Sequence, residues 1–144
     1  MFEDERWQET VALLTDKEIR DATVEAEINK GIAHQLRAMQ RDRGWTQAEL
    51  GEKAGGIRQE TISQLENPGY GKYTLQTLKR LASAFDVALM VYFAPFSELV
   101  DRIVSISPET LAPAAFGEDE GLVTDSTPQV QQLSNVVYTA QVAY

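Results

Sequence analysis

The stretch RQETISQLEN, residues 58 to 67, carries amide and hydroxyl side chains at positions 59, 61, 63 and 64 around two apolar residues, Ile62 and Leu65. A glutamine side chain donates and accepts through adjacent atoms, so it can bond both groups on the major-groove edge of adenine. A serine or threonine hydroxyl can bond a base edge or a phosphate oxygen. At about 100° per residue, Leu65 lies roughly 60° from Ile62 and both face one way, whereas Glu60, Ser63, Gln64 and Asn67 face the other, with Gln59 and Thr61 on the flanks. A helix here would bury one face and offer a polar face sized for a major groove. Arg58 stands just before it, and Lys72, Tyr73 and Thr74 follow a turn-rich NPGYGKY.

Other chemistries find less support. The chain has no cysteine, which excludes disulfides, a zinc ribbon and a thiol nucleophile. Its one histidine, His34, falls about 200° from Ile32 on a helix, away from the apolar stripe, and reads as a surface residue. No nucleophile elbow, phosphate loop or paired-ligand spacing appears, so neither an enzyme nor a metal or cofactor is expected.

The elements that must position residues 58 to 67 are legible as helices. RWQETVALL spaces Trp7, Val11 and Leu14 as a short apolar stripe. TDKE offers Thr15 as an N-cap with Glu18 three residues on, and a helix from about Asp16 aligns Val24, Ile28, Ile32, Leu36 and Met39 until Gly44 stops it. Gly31, inside that run, costs about 1 kcal/mol against alanine and marks an expected bend or break. WTQAEL gives a second capping box, Thr46 with Glu49, and Trp45 is placed to pack back on Leu50. That helix is short and ends at Gly55 and Gly56. After the 58–67 helix, TLQTLKRLASAF places Leu75, Leu78, Leu81, Ala82 and Phe85 on one face. Then VALMVYFA, residues 87 to 94, changes to a β-branched apolar run of strand length, closed by Pro95. A lone strand needs a mate, either its own copy in a second subunit or the alternating NVVYTAQVAY of residues 135 to 144. FSELVDRIV reads as one more short helix, and residues 105 to 134 as linker.

A net charge of -9 on 144 residues has the wrong sign for a nucleic-acid partner, but it is unevenly spread. Residues 1 to 30 carry nine acids and four bases, residues 31 to 80 five acids and eight bases, and residues 81 to 144 eight acids and one base. Salt screens exposed charges beyond roughly 8 Å, so the basic middle decides what approaches the 58–67 helix. The acidic ends predict weak non-specific DNA binding. No apolar run is long enough to span a bilayer, and the acidic start MFEDERWQET is unlike a secretory signal, so the chain reads as a cytoplasmic protein with no membrane partner.

Two short helices joined by a glycine turn, the second with a polar outer face, make a helix-turn-helix. LRAMQRDRGWTQAELGEKAG, TISQLENP and YTLQTLKRLASAFDVAL, within residues 31 to 85, resemble the XRE/Cro-type family of phage and bacterial repressors. The resemblance implies a mainly α, lambda-repressor-like bundle of four to five helices, here with an acidic helical extension (1–30) before the DNA-binding domain (31–86). A strand plus short helix (87–104) and an acidic tail (105–144) would follow. It further implies that Gln47 anchors a phosphate and braces the recognition helix, that Gln59, Glu60, Ser63 and Gln64 face bases, and that Lys72, Tyr73 and Thr74 grip backbone phosphates. Two departures stand out. Gly55 and Gly56 lengthen the turn by a residue, with Arg58 where a Ser or Thr cap is common. Gln40 occupies the place of an arginine that pairs with the glutamate corresponding to Glu66, so Arg37 or Arg41 is expected to substitute.

These features point to a sequence-specific regulator of double-stranded DNA, a repressor acting as a homodimer. Val87, Leu89, Val91 and Phe93 would form the dimer seam in a small β element. The competing expectation is an antitoxin that represses its own operon and neutralises a basic toxin through its acidic flanks.

Overall fold

The computed structural model describes residues 2–122, which form seven α-helices and two single 3₁₀ turns. The helices are α1 (Phe2–Leu13), α2 (Lys17–Arg43), α3 (Gln47–Lys53), α4 (Gln59–Leu65), α5 (Leu75–Phe85), α6 (Phe96–Val104) and α7 (Pro108–Leu111). The 3₁₀ turns, Phe116–Glu118 and Glu120–Leu122, follow α7.

The local signals act mostly where they were read. Thr46 caps α3 in a reciprocal box, its hydroxyl accepting the Glu49 N–H while the Glu49 carboxylate accepts the Thr46 N–H. Gly44 ends α2 in the left-handed region at φ 68°. At the start of α2 the cap is Asp16 instead of Thr15. The Asp16 carboxylate accepts the Glu18 and Ile19 N–H groups, and the Thr15 hydroxyl turns back to donate to Ala12. An anion beside the helix N-terminus also meets the positive end of the dipole, which favours aspartate there.

The bend expected at Gly31 is absent, and α2 runs unbroken for 27 residues. Its hydrogen-bond ladder outweighs one poor helix former. The N-terminal extension and the bundle thus share one helix of roughly 40 Å. Only its C-terminal half enters the main core: Leu36 and Met39 are buried, whereas Ile28 on the same stripe is half exposed.

The main core gathers Leu36 and Met39 from α2, Leu50 and Ala54 at α3, Ile62 and Leu65 from α4, and Leu81 and Phe85 from α5. Fully burying a side chain of this size contributes roughly 1.5 to 3 kcal/mol, so these few residues hold α3 and α4 in place. Trp45 lies against this cluster and stacks on Phe85, centroids 5.4 Å apart and rings within 7° of parallel. The Lys53 ammonium sits 4.8 Å from the Trp45 ring centre. Leu75, expected inside with Leu78 and Leu81, is half exposed at the first turn of α5, before that helix reaches the core.

No strand occurs among the described residues, so the β element expected at 87–94 is not formed. Strand ladders require a paired neighbour, and no backbone group of residues 88 to 94 is bonded to another backbone group. Val87 packs on the core, and residues 88 to 96 then run exposed to α6, which packs against α1. The alternative mate, residues 135 to 144, lies outside the described residues. Within the stretch read as linker, α7 forms at a Ser107 cap with Pro108 in its first turn and packs on α2, where Gln35 donates to the Thr110 carbonyl at 2.8 Å.

Candidate nucleic-acid interface

α4 presents the face read from its spacing. Ile62 and Leu65 are 1% and 3% exposed, Gln59, Glu60, Ser63 and Gln64 lie exposed, and Thr61 sits half-buried on the flank. Arg58 holds the N-cap position in extended backbone, with no side-chain hydrogen bond to the helix, so its exposed guanidinium group is left for other partners.

The turn between α3 and α4 depends on three glycines. Gly55 and Gly56 both take positive φ, 86° and 92°, a region that side chains other than glycine rarely enter. The chain then folds back so that the Gly56 and Ile57 N–H groups both donate to the Gly51 carbonyl, at 3.0 and 2.9 Å. Gly51, inside α3, matters by contact instead: a Cβ there would collide with the Ile57 carbonyl. The extra glycine is therefore absorbed into a doubly bonded turn, not a slack junction.

Arg80 of α5 fastens this turn from the far side, its Nε donating to the Ala54 carbonyl and its Nη2 to the Gly55 carbonyl, each at 2.9 Å. Neither Gly51 nor Arg80 was singled out by the sequence. Gly51 sits in an ordinary helical pattern, and Arg80 looks like any surface arginine on α5. The only available signal was a glycine in a helix too short to spare one.

The C-terminal end of α4 is held by three contacts. Gln47 Nε2 donates to Glu66 Oε2 at 2.9 Å, Arg37 Nη2 donates to the Glu66 carbonyl at 2.9 Å, and the Tyr73 hydroxyl donates to the Leu65 carbonyl at 2.7 Å. Glu66 is 5% exposed. The expected arginine substitution thus occurs at the backbone only. Arg37 reaches the Glu66 carbonyl, Arg41 makes no bond to it, and the carboxylate is served by Gln47. Arg37 extends from α2 over the end of α4, where the last carbonyls lack helical partners and attract a cation.

Tyr73 also differs from what the resemblance implies. Its hydroxyl lies 3.4 Å from the Asn29 carbonyl as well as 2.7 Å from that of Leu65, so its single proton braces α4 against α2 and is not offered to a phosphate. Burial raises its pKa above the usual 10.0. Thr74 caps α5, its hydroxyl accepting the Thr77 N–H and donating to the Thr77 hydroxyl. Lys72 is exposed beside that helix start.

The fold thus brings Gln47, Arg58, Gln59, Glu60, Ser63 and Gln64 onto α3 and α4, and leaves Lys72 in the loop before α5. The four seam residues divide: Val87 belongs to the core, whereas Leu89, Val91 and Phe93 are exposed. His34 is exposed. Among the described residues no group of three or more acidic, histidine or cysteine side chains could hold a metal ion, and no helix is long and apolar enough to cross a membrane.

No curated protein and no solved structure matches the chain. A helix-turn-helix family model matches residues 36–90, which span the last eight residues of α2, the whole α3–turn–α4 unit, α5 and the first exposed residues beyond it. The chain thus matches the helix-turn-helix family over residues 36–90, in line with the resemblance read from its motifs, and the flanks lie outside the match.

Proposed function

We propose that the protein is a sequence-specific transcriptional repressor that reads operator DNA with α4 in the major groove and acts as a homodimer. The observation that carries this reading is the exposed face of Gln59, Glu60, Ser63 and Gln64 on a helix fixed at both ends, by the Gly51–Arg80 turn and by the Gln47–Glu66 and Tyr73–Leu65 bonds. Base readout needs side chains that keep one geometry, because a bidentate amide contact discriminates by about 1 to 3 kcal/mol only when both bonds form. Gln47 keeps a second amide N–H for a phosphate, and Lys72 and the first-turn N–H groups of α5 supply others. Motifs of this kind bind half-sites about one helical turn apart, and the exposed apolar run after Val87 gives two copies a surface on which to meet.

The test is selection of bound DNA from a random library at stated salt, followed by binding of variants. Gln59→Ala and Ser63→Ala should relax the recovered sequence preference, whereas Lys72→Ala should weaken binding to all sequences and flatten the salt dependence. Operator binding left intact by all three changes would remove α4 from the groove.

An antitoxin role is the second reading. It is favoured by exposed Phe116 and Leu122 flanking Glu118, Asp119 and Glu120, an acidic and apolar surface suited to a basic protein. A short gene for a basic protein beside this one, whose product co-purifies with the chain, would support it.

A further inference from the structure

We infer that the dimer is arm-exchanged, with α6 of each copy seated on α1 of the other; this rests on the homodimer of the proposed function. Residues 88 to 95 lead from the main core to α6, and α7 then returns to α2, with Ala112 against the core and the Phe116 N–H donating to the Asp86 carbonyl, so an exchange carries α6, α7 and the turn after them together. Before them lies the main core; after them α6 packs on α1, with Val100 buried to 1% and the Trp7 indole donating to Asp101 Oδ1 at 3.0 Å. The arm starts against the main core, where Ala88 and Leu89 line a groove with Leu36, Leu78 and Phe85, and it ends with the Tyr92 hydroxyl donating to Glu98 of α6 at 3.0 Å, so its middle is the free part. Phe93 is fully exposed, Met90 is 73% exposed, and no backbone group from 88 to 94 is bonded to another backbone group. Eight extended residues can span roughly 26 Å, enough to carry α6 to a neighbouring copy as readily as to its own α1.

Surface area decides between a shared arm alone and an exchange. Aromatic side chains bury roughly 150 to 250 Å² each, so Leu89, Met90, Val91, Tyr92 and Phe93 offer on the order of 700 Å² per copy. Successive side chains of an extended chain point to opposite sides, so arms laid side by side cover only about half of that. A standard interface takes roughly 800 Å² from each partner. Exchanging α6 adds the α1–α6 contact to the interface without requiring any new complementary surface, the low-cost route by which identical elements are swapped. The occupant is a second copy because residues 87 to 94 carry no acidic or basic side chain. Two chains of net charge -9 can therefore meet there without like charges facing each other.

The experiment uses the full chain. Light scattering gives the mass, and isotope-filtered NOE spectra of mixed labelled and unlabelled chains report whether the Trp7 indole sees the methyls of Val100 in its own chain or in its partner. Because the chain has no cysteine, a Trp7→Cys/Asp101→Cys variant with a short bismaleimide provides a second readout. Intermolecular NOEs and a crosslinked band of twice the monomer mass are expected. A dimer with only intramolecular NOEs and a crosslinked band of monomer mass would overturn the exchange and leave the dimer standing. A monomer at all concentrations would overturn both, leaving DNA readout by α4 to be judged by the selection experiment.

Discussion

Gly31 and Gly51 both sit inside helices, yet alanine should act in opposite directions at the two. At Gly31 a Cβ meets nothing within 4 Å, so Gly31→Ala gains helix propensity and loses unfolded-state entropy, together about 0.5 to 1 kcal/mol of stabilisation. At Gly51 the same gain is available, but the Cβ would occupy the space of the Ile57 carbonyl and press toward Ile62 Cγ1, 3.6 Å away. Relief requires moving the turn, whose Gly56 and Ile57 N–H groups are bonded to Gly51 itself, or lifting α4 from the core. Overpacking a rigid site costs about 1 to 3 kcal/mol and more where backbone must move, so the net loss should be about 2 kcal/mol or greater. Urea unfolding with an unchanged slope reads both values. Gly51→Ala should also lower operator affinity in the folded protein, since α4 can no longer sit at its present distance from α3. If Gly51→Ala proved as stable as Gly31→Ala and bound DNA normally, the close approach of the turn to α3 would be refuted.

Two further outcomes are expected. Asp16→Ala and Thr46→Ala should each cost about 1 kcal/mol in urea unfolding, while Thr15→Ala should change little, which separates the observed cap of α2 from the one its sequence suggests. Tyr73 binds its proton more tightly folded than unfolded. The stability tied to that proton is complete below pH 10 and is lost as pH rises through 10 toward the higher folded pKa. Unfolding followed from pH 9 to 11 should show a steeper alkaline loss for the native chain than for Tyr73→Phe, and identical slopes would mean that the hydroxyl is not held as described.

The elements whose rules are local were legible in the chain. Thr46 and Glu49 are three residues apart, and the cap they form needs nothing else. The face of α4 follows from a period of 3.6 applied to ten residues. The strand reading of residues 87 to 94 failed for the converse reason, since β-branched composition favours extension but a ladder exists only when a second backbone supplies its hydrogen bonds.

What the sequence alone determined was where the helices lie, which face of α4 is polar, and that the basic residues cluster around it. Only the tertiary structure decided what holds that face still. Arg80 fastens a carbonyl 26 residues away, Arg37 reaches one 29 residues away, and Tyr73 bridges to another 44 residues back. Each of these donors is an ordinary residue in its own helix or loop, and each becomes a brace only because core packing brings it to a carbonyl distant in the chain.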